Sequence, residues 1–460
     1  MKICEYNCDE VLLKKLFVEQ GVLYGDSEAY PSLISPIFLL LSKEDAYDLD
    51  DDLKELSKLY LLASKLYINS LSIDSANWIV KSVENALSKE QIIATQLFAK
   101  AGLEPMMTRV DYISVGELGR KIAEVQWKSG GPGLFLGHDF IYRNYIKDEA
   151  SFSYGDLTNR YLIALSKCYP HSETIVINEV REEWLQSEDF LISKAKDYGI
   201  TYHSVSRAEI KEKLNFGLDG MCQYGQDGDH IHILRGRGFS DIIDGETLID
   251  MTKNVLDYKF WVEMPLNYIY RQKWPLALPF HSKYKSLFSN RLREILIPTT
   301  IINDATVDLS SIIESFNGEN KELLLRISDI RDLAHLPASL RCQFIIKHSS
   351  GVGKLQNGGK GVFRLAESKK KSIEIIELIV SDMQKNNSTW VIQPMLSYKF
   401  DIPYIINGER QSRLSHLRFM LFGGRENNMW AAHGALANFA ESWKVSGSSS
   451  SSFSAVRGER

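Results

Sequence analysis

Apolar residues recur at helical spacing through much of the first hundred residues. From Leu49 onward they repeat every three to four positions behind a run of aspartates, as on the buried face of an amphipathic helix. A later helix is predicted to begin at Ser88 and to stop at Gly102, because a serine followed three residues later by glutamine is a capping-box pattern and glycine ends helices. Residues 1–103 are therefore predicted to form a helical N-terminal lobe.

The pattern changes at Thr108 to the two-residue alternation of strands. The segments TRVDYISV and KIAEVQW flank a short turn, which predicts a β-hairpin within residues 104–153. Across residues 154–300, apolar strands alternate with amphipathic helices, as in βαβ units that form a parallel sheet. The chain is therefore predicted to be an α/β protein with mixed sheets.

A short apolar run that ends in Lys347 opens into a glycine-rich loop and then a second apolar segment, which predicts strand, loop and strand. A lysine at a strand end can reach a phosphate, and glycines let backbone N–H groups approach an anion. The loop is neither a Walker A loop nor a Rossmann fingerprint, since it lacks the Gly-Lys-Ser/Thr spacing and leads into a strand. A plain exposed hairpin is the alternative. The glycines are Gly351, Gly353, Gly358, Gly359 and Gly361.

The last third of the chain is predicted to form one more subdomain and a tail. A lysine-rich amphipathic helix, a strand at Trp390 and a late hairpin follow the glycine-rich loop, so residues 301–445 are assigned to a single unit. Residues 446–460 are rich in serine, a composition typical of flexible segments. They are predicted to be a flexible tail.

Composition narrows the class of protein. The 460 residues are 44% hydrophobic, enough for two or three domains or subdomains with a substantial core. A net charge of -5 gives no basic excess for nucleic-acid binding. The longest uncharged apolar run, Tyr30 to Ser42, is too short for a bilayer. Five scattered cysteines suit reduced thiols. A cytoplasmic protein without nucleic-acid or membrane partners is expected.

The predicted hairpin carries the chemistry. Arg109 and Asp111 share one face of its first strand, and Glu124 and Gln126 share a face of the second, so a cation, two carboxylates and an amide would lie side by side. Oxygen ligands of this kind suit Mg²⁺, and a nearby arginine can balance charge on a transferring phosphoryl group. A cross-strand salt bridge on a solvated face is the alternative.

The run RVDYISV…KIAEVQWKSGGPG resembles the R-x-D…E-x-N…P-G segment of circularly permuted ATP-grasp enzymes of the glutathionylspermidine synthase type. The segments WPLALPFHSKYKSLFSN, FIIKHSSGVGK…GKGVF, WVIQPML and the late hairpin resemble later parts of that module, in the same order. The resemblance covers roughly residues 104–456. It implies an ATP-grasp-like fold, with a metal-binding hairpin in 104–153, a substrate subdomain in 154–300 and a nucleotide-binding subdomain in 301–445.

The resemblance also implies roles for individual residues. Asp111, Glu124 and Gln126 would hold Mg²⁺, although Gln126 stands where the family has asparagine. The late hairpin carries an arginine only in its first strand, where the family often has a cation facing the phosphates. Contacts to ATP are implied for Lys283, Lys347, the loop glycines, Gln393 and Met395, and catalytic roles for Arg109 and Arg418.

The hypothesis that follows is an ATP-dependent carboxylate-amine ligase, which would form an amide through an acyl-phosphate. Its cofactors would be ATP and Mg²⁺, and its substrates a small-molecule or peptide carboxylate and an amine, with a homodimer left open. A degenerate nucleotide-binding scaffold or regulatory protein is the first alternative. An ATP-grasp small-molecule kinase is the second.

Overall fold

A computed structural model of the chain describes most of its residues. The described ranges are 2–22, 34–72, 78–85, 87–114, 119–127, 132–146, 151–168, 174–180, 185–216, 221–225, 229–236, 243, 245–263, 266–303, 305–316, 318–349, 361–396, 398–406, 408–426, 429–442 and 451–459.

Helices and strands alternate along the described chain. The α-helices are α1 (Glu10–Glu19), α2 (Lys43–Ser70), α3 (Trp78–Glu84), α4 (Lys89–Ala101), α5 (Pro132–Tyr145), α6 (Leu157–Cys168), α7 (Leu185–Ala195), α8 (Arg207–Lys213), α9 (Gly245–Leu256), α10 (Asn290–Ile295), α11 (Glu319–Leu325), α12 (Ala338–Arg341) and α13 (Lys369–Asn386).

The strands are β1 (Lys2–Glu5), β2 (Ile37–Leu41), β3 (Met107–Ser114), β4 (Arg120–Gln126), β5 (Ser151–Ser153), β6 (Thr174–Glu179), β7 (Ile200–Val205), β8 (Leu214–Phe216), β9 (Cys222–Tyr224), β10 (Asp229–His230), β11 (Ile233–Gly236), β12 (Trp261–Val262), β13 (Thr300–Asn303), β14 (Thr306–Val307), β15 (Phe344–His348), β16 (Val362–Arg364), β17 (Trp390–Pro394), β18 (Lys399–Ile406), β19 (Glu409–Glu426), β20 (Met429–Ala440) and β21 (Ser451–Glu459).

A large mixed sheet lies at the centre of the fold. Among the described strands its order is β1-β2-β21-β20-β19-β3-β4, with β18 added beside β19 and β5 beside β21. Its central strands are apolar on both faces because helices cover both. Phe419 and Leu421 of β19 pack in the core that contains α2, while Met420 and Phe422 pack in the core that contains α5 and α6. This double burial fits the long apolar runs of β19 and β20.

The described strands also form three smaller sheets, of which the antiparallel β10-β9-β8 is the smallest. The four strands β12-β11-β6-β7 are all parallel, as the alternating strands and helices predicted. The antiparallel strands β14-β13-β17-β15-β16 form a second sheet, and α13 covers one of its faces. The other face of this second sheet turns toward β4, because Val391 of β17 belongs to the same core as Val125. The predicted α/β class with mixed sheets is confirmed.

Two expectations about the ends of the chain need correction. Residues 1–103 are mostly helical, but β1 and β2 join the central sheet, so this region is not a purely helical lobe. The flexible tail is wrong for residues 451–459, which form β21 between β20 and β2. Serines at 452 and 454 are fully buried there, so their small side chains serve close packing and do not indicate flexibility. No described helix is long and apolar enough to span a membrane.

The burial of β21 predicts a large cost for truncating its aromatic side chain. Phe453 is 1% exposed, and its ring lies 5.9 Å from Phe135 and 4.8 Å from His138. Phe453→Ala is expected to lower the free energy of unfolding by about 3–5 kcal/mol, since it leaves a cavity in the core. Urea unfolding measures the change. Met429→Ala, at a 64% exposed position of β20, is the control, and equal stabilities for the two variants would contradict the placement of β21.

Candidate functional site

The hairpin of β3 and β4 places the predicted polar side chains next to one another. Arg109 lies opposite Gln126 and Asp111 opposite Glu124 in the strand register. The register shifts after Asp111, so that Ala123 has no opposite residue on β3. Such a bulge leaves a backbone group outside the regular ladder. The Ala123 carbonyl is therefore open to a partner from another part of the fold.

Arg109 and Asp111 form a buried ion pair. The Nε and Nη2 atoms of Arg109 donate to the two carboxylate oxygens of Asp111 at 2.8 Å and 3.0 Å, and the two residues are 7% and 2% exposed. Arg418 of β19 approaches the same carboxylate, with Nη1 at 3.4 Å from Oδ2. The Arg109 guanidinium also lies 5.4 Å from the ring centre of Phe135. Two-pronged charged hydrogen bonds of this kind are among the strongest in proteins.

Two lysines reach this hairpin from outside the central sheet. The Lys347 ammonium, at the end of β15, donates to the Ala123 carbonyl at 3.0 Å. The Lys273 ammonium lies 3.7 Å from the Glu124 carboxylate. Lys273 immediately precedes a 3₁₀ helix, Trp274–Phe280, and its backbone N–H donates to the Ser349 carbonyl at 3.0 Å. Because Ser349 directly follows β15, both lysines are fixed to the same strand end.

Burial and charge perturb the titration of these groups. Burial lowers the pKa of the Lys347 ammonium to about 8, with repulsion from Lys273 adding to the effect and attraction by Glu124 opposing it. Burial also opposes ionisation of Glu124, but attraction by Lys273, Lys347 and the two arginines outweighs it and lowers the pKa of its carboxyl group. Glu124 is therefore ionised at neutral pH, whereas Lys347 is close to its titration point.

The cluster formed by Arg109, Asp111, Glu124, Lys273, Lys347 and Arg418 is called the cation cluster below. Its four cations face two carboxylates, which leaves an excess of two positive charges when both lysines are protonated. Arginine and lysine side chains in a largely desolvated site are suited to phosphate or carboxylate groups. The arrangement can therefore bind an anion with several negative charges.

A divalent cation fits the same side chains poorly. Both oxygens of Asp111 accept hydrogen bonds from Arg109, while Mg²⁺ requires freely available oxygen ligands. In the parts of the chain that the structure describes, no three His, Cys, Asp or Glu side chains come close enough to share a metal. Gln126 lies opposite Arg109 on the hairpin, and its backbone carbonyl accepts from the Thr108 hydroxyl at 3.4 Å, a contact that does not involve its side-chain amide. The Mg²⁺ site at Asp111, Glu124 and Gln126 remains a prediction.

The other predicted ATP contacts lie in different surroundings. Gly351, Gly353, Gly358 and Gly359 fall outside the described residues. The Gly361 carbonyl accepts from the His348 N–H at 2.8 Å and so helps to close the β15–β16 pair. The Met395 N–H donates to the Gln343 carbonyl at 2.6 Å.

A pocket of about 340 Å³ opens at the edge of the five-stranded sheet, between the 3₁₀ helix and strands β13 and β14. Hydroxyl groups and one carboxylate contribute to its wall, including Thr299, Thr300 and Asp308. The Gln393 amide donates to the Thr299 hydroxyl at 2.7 Å. Gln393, one of the predicted ATP contacts, thus supports the wall of this pocket from behind.

Lys283 does not join the cation cluster. Its side chain is exposed, and its ammonium lies 5.4 Å from the ring centre of Tyr284. Lys273 lies at the opposite end of the 3₁₀ helix, next to Ser349, and belongs to the cluster. Both lysines lie beside the same apolar run WPLALP. The spacing within this run could not show which of them faces the hairpin.

A second buried polar network lies at the carboxyl ends of the parallel strands. Arg235 of β11 pairs with Glu263 and donates to the Asn178 side chain at 3.0 Å. The Glu188 carboxylate accepts from Asn178 and from the Gly133 N–H at the start of α5, both at 3.0 Å. Burial raises the pKa of Glu188 to about 7. These mutual contacts connect the parallel sheet to α5, which packs beside the cation cluster through Phe135.

A comparison with solved structures shows a likeness in fold. The chain matches no protein-family model, and no curated protein matches its sequence. A glutathione synthetase-like effector from Globodera pallida, in its apo form, superposes with a TM-score of 0.55 at 10% sequence identity, over 98% of this chain and 99% of that one. A Methylobacillus flagellatus KT protein provisionally named gamma-glutamylcysteine synthetase gives a TM-score of 0.40 at 10% identity, over 85% of this chain and 83% of that one. The second likeness is too distant to support an argument. The first shows that the chain is similar in fold to a glutathione synthetase-like protein over almost its whole length.

Proposed function

We propose that the protein is an ATP-dependent ligase that joins a carboxylate to an amine. The observation that carries the proposal is the convergence of four cations, from two different sheets and the 3₁₀ segment, on the β3–β4 hairpin. A polyphosphate is a common small substrate with enough negative charge to balance such a cluster. The likeness to a glutathione synthetase-like protein in fold favours amide formation over other uses of ATP, by analogy.

The proposed reaction has two steps. A carboxylate oxygen attacks the γ-phosphorus of ATP, a new O–P bond forms, and the bond from phosphorus to the ADP oxygen breaks. The amine nitrogen then attacks the acyl carbon, the C–O bond to phosphate breaks, and the amine loses a proton as the amide forms. The products are ADP, phosphate and the amide. The protein contributes position and charge to both steps.

The side chains of the cation cluster divide between these tasks. Lys347 and Lys273 are proposed to bind the ATP phosphates, because they sit together at the end of the β15 strand. Arg109 and Arg418 are proposed to hold the substrate carboxylate and the acyl-phosphate, since both already bind a carboxylate, that of Asp111. Low exposure of the arginines reduces access of water to the acyl-phosphate. No step is assigned to Mg²⁺, because the side chains around Asp111 are already paired.

The pairing of Asp111 with Arg109 favours a second candidate, a nucleotide-binding protein without ligase activity. The two candidates differ in their products. Incubation with ATP, a mixture of amino acids and a mixture of amines should release phosphate and yield an amide detectable by mass spectrometry if the ligase proposal holds. ATP binding without phosphate release in any mixture would favour the second candidate. A phosphorylated substrate without an amide would indicate a kinase.

The cation cluster predicts that two lysines matter for ATP and a third does not. Lys347→Ala and Lys273→Ala are each expected to weaken ATP binding roughly 10- to 100-fold, because each loses a hydrogen bond between charged groups. Lys283→Ala is the matched control and should bind ATP as the wild type does, since its ammonium lies outside the cluster. Isothermal titration calorimetry measures all three. Loss of affinity in the Lys283 variant alone would reverse the assignment.

The lowered pKa of Lys347 predicts a pH dependence of ATP binding. Below a pH of about 8, Lys347 of the free protein is mostly in its ammonium form. Affinity should therefore decline as the pH rises above about 8, because the neutral amine no longer attracts phosphate. Lys347→Arg should remove this decline, since a guanidinium keeps its proton. Titrations of both proteins between pH 6 and 10 check the prediction, and a decline that persists unchanged in the arginine variant would assign it to another group.

A further inference from the structure

Asn438 of β20 is a buried amide that the surrounding protein does not satisfy. Its side chain is fully buried. Neither its Oδ1 nor its Nδ2 has a hydrogen-bond partner in the described part of the chain. Native proteins pair nearly all buried polar atoms, so an amide with two unused groups requires an explanation.

Asn438 lies next to the cation cluster. It is the direct cross-strand neighbour of Arg418 on β19, so the two side chains share a face of the central sheet with Cβ atoms about 4.5–5.5 Å apart. The Nε of Arg418 also donates to no acceptor among the described residues, and its Nη1 contact to Asp111 is long, at 3.4 Å. Arg418 therefore retains an unused donor, and the neighbouring Asn438 retains an unused donor and an unused acceptor.

The cross-strand neighbour of Asn438 on its other side is apolar. Its neighbour on β21 is Phe453, whose ring packs against Phe135 and His138. Of the two cross-strand neighbours of Asn438, only Arg418, on the side of the cation cluster, is polar. A ligand placed there would meet a guanidinium, an amide donor and an amide acceptor together.

We propose that Asn438 and Arg418 together bind the end of an amino-acid or peptide substrate that carries a carboxylate and an N–H group. Arg418 balances the charge of the carboxylate, and Asn438 Nδ2 donates to one of its oxygens. Asn438 Oδ1 accepts from the neighbouring N–H of the substrate. The identity of this ligand rests on the proposed ligase function, whereas the unsatisfied amide does not.

The test combines stability and binding in one variant. Asn438→Leu replaces the amide with an apolar side chain of similar size, so the protein without ligand should be as stable as the wild type or more stable in urea unfolding. Asn267→Leu is the matched control. Its amide is equally buried but donates to Ser64 at 3.1 Å and accepts from the Ile269 N–H at 3.2 Å, so this variant should unfold at lower urea.

Binding is measured by calorimetry with glutamate, glycylglycine and succinate as probes, each with and without ATP. Asn438→Leu is expected to weaken glutamate or glycylglycine binding tenfold or more, and to leave ATP binding within twofold of the wild type. Succinate, which has carboxylates but no N–H group, should respond less to the change. Loss of glutamate or glycylglycine binding in this variant supports the proposal even if the wild type does not use ATP. In that case the proposed ligase function is wrong, but the proposed binding role of Asn438 is not.

Three outcomes would overturn the proposal. One is that the wild type binds none of the probes, and another is that Asn438→Leu binds glutamate and glycylglycine as the wild type does. Destabilisation of Asn438→Leu to the same extent as Asn267→Leu would show that the amide already has a partner within the protein.

Discussion

The contact between the Lys347 ammonium and the Ala123 carbonyl is a polar link between two sheets that also share a hydrophobic core. Lys347 belongs to the five-stranded sheet and Ala123 to the central sheet. The bulge at Ala123 is what makes the carbonyl available, since a regular ladder would leave no residue unpaired at this point. The cation cluster therefore depends on one irregularity in the hairpin. The position of Lys273 depends on the same strand end, because Ser349 holds the backbone of Lys273 beside the end of β15.

The cluster is electrostatically unbalanced in the free protein. Arg109 is compensated by Asp111, and Glu124 by the nearby lysines, but the remaining positive charge has no partner within the described cluster. Burial is the main cause of the lowered pKa of Lys347, and repulsion from Lys273 adds to it. This imbalance also bears on the choice of ligand. A neutral or cationic ligand would leave it in place, whereas an anion would relieve it.

The sequence predicted the local parts of the site better than the distant ones. The two-residue alternation of the hairpin was enough to predict that Asp111 and Glu124 would lie side by side, because strand pairing across a short turn is a local property. The sequence could not show whether Lys273 or Lys283 lies beside the hairpin. That placement depends on a contact to Ser349, more than seventy residues away. The prediction of a flexible tail from the C-terminal serines was wrong for a related reason. Their composition resembles that of a linker, yet the strand they form is fixed by β20 and β2, which flank it in space.

The same imbalance connects binding to stability. A charged or polar group that lacks a partner in the free protein raises the free energy of that state. A ligand that pairs with the group removes this unfavourable free energy, so part of the binding free energy comes from the protein itself. Lys347 is such a group, as its lowered pKa indicates. Arg418 is another, because its Nε has no acceptor among the described residues. Any ligand that binds the folded state alone also stabilises it. An anion that fits between the two sheets would therefore bind at their junction and hold them together, and the hairpin bulge would become the point at which substrate binding and the packing of the sheets are coupled.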